Sequence, residues 1–121
     1  MAKTRKKTLH LTTNKALRDF FRVYNHMHFG GRLSENVTVS FGQTPKKDAA
    51  YVDIRGVGDD MVGEIVIDER LRGMDCVVAW LIVHEQAHMD IDGDDDGKHD
   101  GPKHNKRMME LARAGALEGI W

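Results

Sequence analysis

The sequence predicts an α+β fold: an N-terminal helix, a small three-stranded antiparallel sheet, a central helix and a C-terminal helix. Three observations carry this. Leu17, Phe20, Phe21 and Tyr24 recur at the i, i+3, i+4, i+7 spacing of one helix face. Three short β-type segments follow between residues 37 and 67, separated by turn-forming residues. A long apolar stretch, Val77 to Val83, then precedes an Asp/Gly-rich segment and Pro102, a residue suited to the first turn of a new helix.

Taken in order, residues 1–11 read as a flexible basic arm and residues 12–121 as one domain, a size that supports a single core. Lys3, Arg5, Lys6 and Lys7 give the arm its charge. Such a tail can reach nucleic-acid phosphates, although a plainly solvated arm is the commoner outcome. Thr12 and Thr13 are candidate N-caps for the first helix. Gly30-Gly31 ends it, because glycine accepts the left-handed conformation found after a last turn. Val37 to Phe41 alternates apolar and polar residues, and Ala50 to Ile54 and Gly63 to Ile67 supply two more strands. Gly56-Val57-Gly58-Asp59-Asp60 provides the turn between the last two.

The central helix is expected from about Met74 to Ile91, with Asp75 favourably placed near its N-terminus. The last helix begins at Pro102 and carries His104, Met108 and Leu111 on one face. Trp80 is expected in the core, and Cys76 as a small buried residue. That cysteine is the only one, which excludes an intrachain disulfide and a cysteine-based zinc ribbon and agrees with a reducing, cytoplasmic setting. No apolar run approaches the ~20 residues of a membrane span, and the basic N-terminus is followed by no apolar segment of a secretory signal.

His84-Glu85-Gln86-Ala87-His88 carries the chemistry. Two histidines four apart project from one face of a helix, where both imidazoles can reach one Zn²⁺ at ~2.0–2.1 Å. Glu85, next to the first histidine, points to another side of the ion and is the natural general base toward a water whose pKa zinc lowers to about 7. Two histidines at this spacing also occur by chance on helix surfaces. Here Ala79-Trp80-Leu81-Ile82-Val83 precede them, so the pair falls where the helix is being buried, and polar groups buried there need a partner. A third ligand is required. His10 lies in the arm, and His26 and His28 read as packing or surface residues. His104, at the start of the last helix, is favoured over His99 in the preceding loop because a helix holds a ligand more rigidly.

Asp92, Asp94 and Asp96 match the opening of a calcium loop, but its twelfth position is Lys103, where a bidentate glutamate is needed. A solvated acidic loop is the preferred reading, with Ca²⁺ disfavoured.

Four segments together resemble the SprT-like, or Spartan-type, zinc metallopeptidase domain. They are Phe20-Phe21-Arg22-Val23-Tyr24-Asn25 closing on Phe29-Gly30-Gly31-Arg32-Leu33; the strand Val37 to Phe41; Glu64-Ile65-Val66-Ile67 leading through Leu71 into Val83-His84-Glu85-Gln86-Ala87-His88; and Gly101-Pro102-Lys103-His104-Asn105-Lys106-Arg107-Met108. The resemblance covers residue 12 to the end. It implies a minimal zincin-like domain with one zinc on His84, His88 and His104 and with Glu85 as general base. It further implies a zinc metalloendopeptidase that hydrolyses proteins bound or crosslinked to DNA, as in DNA–protein crosslink repair, in a version similar to those of phages and bacteria and hence in a bacterial or host cytoplasm. The chain departs from the family pattern at Gln86, where many relatives have methionine, and at Met108, where an aromatic residue is usual. Gly101-Pro102 precedes His104 and follows His99-Asp100, which keeps His99 in contention. The rival reading is a non-catalytic, zinc-stabilised module that binds DNA or a protein partner through the basic arm.

Overall fold

The computed structural model describes residues 10–56, 60–91, 101–118 and 120. The basic arm (Lys3, Arg5, Lys6 and Lys7), His99 and the aspartates Asp92, Asp94 and Asp96 lie outside the described residues, as does Trp121. The order is α1 (Asn14–His28), β1 (Val37–Gly42), β2 (Ala50–Arg55), β3 (Val62–Asp68), α2 (Asp75–Asp90) and α3 (Pro102–Arg113), with short 3-10 turns at Pro45–Lys47 and Glu69–Leu71. The α+β class expected from the sequence is therefore present. No helix among the described residues is long and apolar enough to cross a membrane.

Thr13 caps α1, its hydroxyl accepting the Ala16 N–H at 3.1 Å. The helix buries Leu17, Phe20 and Phe21, while Tyr24 is half-buried and donates its hydroxyl to the Ala116 carbonyl at 2.9 Å. Gly30 and Gly31 both adopt positive φ and turn the chain out of the helix, as their type predicts. Leu11 was expected in the flexible arm. It is instead buried, and its N–H donates to Asp75 at 3.3 Å, so ordered packing begins ahead of the predicted domain start.

The sheet departs from the expected antiparallel arrangement. Its order is β1-β3-β2: β2 pairs antiparallel with β3, as a hairpin should, but β1 pairs parallel with β3. The physical reason is burial. Ile65 and Ile67 are completely buried, so β3 takes the centre, whereas no residue of β2 is fully buried and that strand suits an edge. With β3 between them, β1 and β2 are the two edges, and β1 runs parallel to its neighbour. Gly63 is demanded at this junction. A Cβ there would lie 2.0 Å from the Asp53 carbonyl oxygen of β2.

One face of the sheet presents Val37, Val39, Phe41, Ile65 and Ile67 to the helices. The registers put Ala50, Val52 and Ile54 on that same face and leave Thr38, Ser40, Tyr51, Asp53, Glu64 and Val66 on the open one. The core thus forms between the sheet and the helices α1 and α2, and α3 packs on α2. Helix α2 is buried almost all round from Val78 to Ala87, which is why its apolar residues show no one-sided stripe. Its first turn is different. Cys76, predicted to be buried, is exposed, because burial of α2 begins only at Val78. Trp80, predicted in the core, is half-buried.

Candidate metal centre

Trp80, His84 and His88 stand four residues apart along α2 and share one helix face. The Trp80 and His84 rings lie 4.7 Å apart between centroids, and the His84 and His88 rings 5.0 Å apart. His104, in the first turn of α3, completes the group. Its ring centroid is 4.4 Å from that of His84 and 3.7 Å from that of His88, against which it stacks. One candidate ligand atom from each of the three histidines lies within 4.8 Å of the others, close enough to hold one metal ion. Ligands bonded to a tetrahedral zinc are separated by about 3.4 Å, a spacing within the 4.8 Å span of the three candidate atoms.

The fit rests on the donor set as well as on spacing. Three imidazoles from two helices are borderline nitrogen donors of the kind zinc takes, and three such ligands would leave a bound ion a position for water or substrate. His104 is 1% exposed, and His84 is also buried; His88 is only half-buried. The Nε2 of His104 lies 3.1 Å from the His84 carbonyl oxygen, the kind of outer hydrogen bond that orients metal-binding histidines.

Glu85 is buried beside the histidines, and with His88 it lines a hollow of about 180 Å³ whose other walls are Val52, Ile54, Gly56, Met61 and Met89. The hollow is therefore bounded on one side by the edge strand β2 and on the other by the chemistry-bearing face of α2. Gln86, fully buried on the opposite side, donates its amide to the Phe21 carbonyl at 2.9 Å and ties α2 to α1.

The remaining described histidines stand apart from the cluster. His10 and His26 are exposed. His28 is half-buried beside Tyr24, with ring centroids 4.9 Å apart, and burial together with the nearby Arg107 cation pushes its pKa below the usual histidine value. Larger hollows of about 380 and 490 Å³ run along α1, away from the three histidines.

Helix spacing alone pointed to His84, Glu85 and His88, and His104 joins them as expected. Sequence reasoning missed Trp80 as a neighbour of the site, although its place four residues before His84 was a usable signal. It also missed Val52, Ile54 and Met61, whose approach to α2 depends on strand order and leaves no trace in local pattern. No protein-family model matches the chain, nor does any curated protein or solved structure.

Proposed function

We propose that the chain is a zinc-dependent metallopeptidase, with His84, His88 and His104 holding the ion and Glu85 acting as general base. The observation that carries this reading is the three-histidine cluster opening, through Glu85 and His88, onto one hollow. A zinc ion, when bound there, supplies Lewis acidity toward a carbonyl oxygen and makes water acidic enough to deprotonate near neutral pH. Glu85 takes the proton of the attacking water and returns it to the departing amine, so the same carboxylate serves as base and then as acid. Its position in the motif supports that role, since a purely structural metal site has no use for a carboxylate beside its first ligand.

The surroundings suit an extended peptide. Among the described residues strand β2 is an edge, so one side of its backbone is not paired within the sheet, and it borders the hollow through Val52 and Ile54. A substrate segment added along such an edge gains main-chain hydrogen bonds, while alternate side chains enter the apolar hollow. The order of motifs resembles the SprT-like family, and on that resemblance we assign the substrates to proteins bound or crosslinked to DNA.

Glu85→Gln tests the proposal. The variant should keep its zinc by elemental analysis and lose cleavage of a DNA-bound protein by about 10²- to 10⁴-fold. Cleavage at the wild-type rate would reject Glu85 as the general base, and a zinc-loaded wild-type chain that cleaved nothing would leave the non-catalytic zinc-stabilised module.

A further inference from the structure

Two of the three histidines are placed by helix periodicity, but the third is placed by docking. His104 belongs to α3, which reaches α2 only after residues 91–101. What fixes α3 against α2 therefore fixes the third ligand. Leu111 contributes apolar burial, which is non-directional and tolerates sliding. Apart from the hydrogen bond of His104 itself to the His84 carbonyl, the directional contacts come from one turn beyond His104. Arg107 donates Nε–H to Asp90 at 2.7 Å and a second N–H to the His28 carbonyl at 3.0 Å. Its guanidinium also lies 5.0 Å from the centre of the Phe29 ring.

Asp90 is the last residue of α2, two positions beyond His88. Arg32 reaches the same carboxylate from the solvent side at 3.1 Å, but its side chain is 59% exposed, whereas that of Arg107 is 17% exposed. The helix that bears His84 and His88 thus ends on the carboxylate that receives the arginine of the helix bearing His104. The same arginine holds the C-terminal end of α1 through the His28 carbonyl.

We propose that Arg107 and Asp90 are positioning residues for the metal centre: their ion pair sets the location of His104 relative to His84 and His88, and through it the affinity and geometry of the bound ion. The proposal rests on the three-histidine reading above. Its physical basis is the contrast in tolerances. A zinc–nitrogen bond accepts deviations of about 0.2 Å, while an apolar helix contact does not define position that finely. A planar guanidinium fork, bound on one side to a carboxylate and on another to a carbonyl, does supply such definition.

The test uses cobalt(II) as a visible stand-in for zinc, with the intact chain. Arg107→Met and Asp90→Asn should each bind cobalt about 10- to 100-fold more weakly than wild type, with a less intense visible band as tetrahedral coordination opens. Arg32→Ala, which removes a partner of the same carboxylate without touching α3, should keep affinity and spectrum. Ile65→Val, a truncation in the sheet core, serves as the stability control. It should lower the melting temperature of the metal-free chain and leave the cobalt spectrum unchanged. Wild-type affinity and spectrum in Arg107→Met would overturn the proposal alone. So would equal spectral loss in Ile65→Val, which would mark the effect as general loosening. A wild-type chain that bound no cobalt would overturn the metal centre itself, and the positioning role with it.

Discussion

The Nε2 of His104 lies 3.1 Å from the carbonyl oxygen of His84, so the ring of the third histidine is hydrogen-bonded to the backbone of the first. A carbonyl can only accept, and Nε2 must therefore carry the hydrogen. The nitrogen that His104 offers to an ion is then Nδ1. Nitrogen-15 chemical shifts of the ring should report the Nε2–H tautomer in metal-free protein and perturbation at Nδ1 on adding zinc. A zinc-induced shift confined to Nε2 would contradict this assignment.

Removal of the ion should be visible as lost stability. At zinc a hundredfold above its Kd, mass action adds about 2.7 kcal/mol to the folded state. For a chain of this size a chelator should then lower the melting temperature by something on the order of 10 °C. His104→Ala should abolish most of that chelator-dependent difference. Calorimetry with and without chelator measures both, and a melting temperature indifferent to chelator and zinc would exclude a bound ion.

Gln86 joins the metal helix to α1 through its hydrogen bond to Phe21, in a position with no solvent exposure. Gln86→Ala removes that bond and leaves a void, with an expected cost of about 2–3 kcal/mol. Urea unfolding is the measurement. A loss below about 0.5 kcal/mol, the range of an ordinary surface substitution, would mean that the contact contributes nothing.

Asp68 ends β3 and is buried, accepting hydrogen bonds from the Arg70 guanidinium at 2.7 and 2.9 Å, from the Arg70 backbone N–H at 2.8 Å and from the Thr44 hydroxyl at 2.8 Å. The Arg70 side-chain bonds, foremost, hold its carboxyl far below the ordinary value of 3.8. A depressed folded-state pKa stabilises the fold above the unfolded value, and that contribution disappears as pH falls through the folded one. Asp68→Asn should accordingly be less stable than wild type at neutral pH. The gap should stay nearly constant down to about pH 5 and close in strong acid. A gap that widened toward acid would reverse the sign and reject this account.

Much of the architecture is legible in residues close together along the chain. The four-residue spacing of His84 and His88 put them on one face of a helix, the pair Thr12-Thr13 marked where α1 starts, and Gly30-Gly31 marked where it stops. The small apolar character of Cys76 predicts burial, but the first turn of α2 meets solvent and the residue is exposed. The strand segments were also recognisable, but their order was not. A hairpin forces β2 against β3, yet nothing local says that β1 joins the far side of β3 and runs parallel to it.

What the sequence by itself determined, then, are the groups whose geometry is set within a few turns of backbone: the helix spans, the paired histidines and Glu85 beside them. Only the tertiary structure decided that His104 closes the cluster, that β2 borders it, and that Arg107 meets Asp90. Those contacts join residues many positions apart, and their energies come from burial and charge pairing across elements, which no local period encodes.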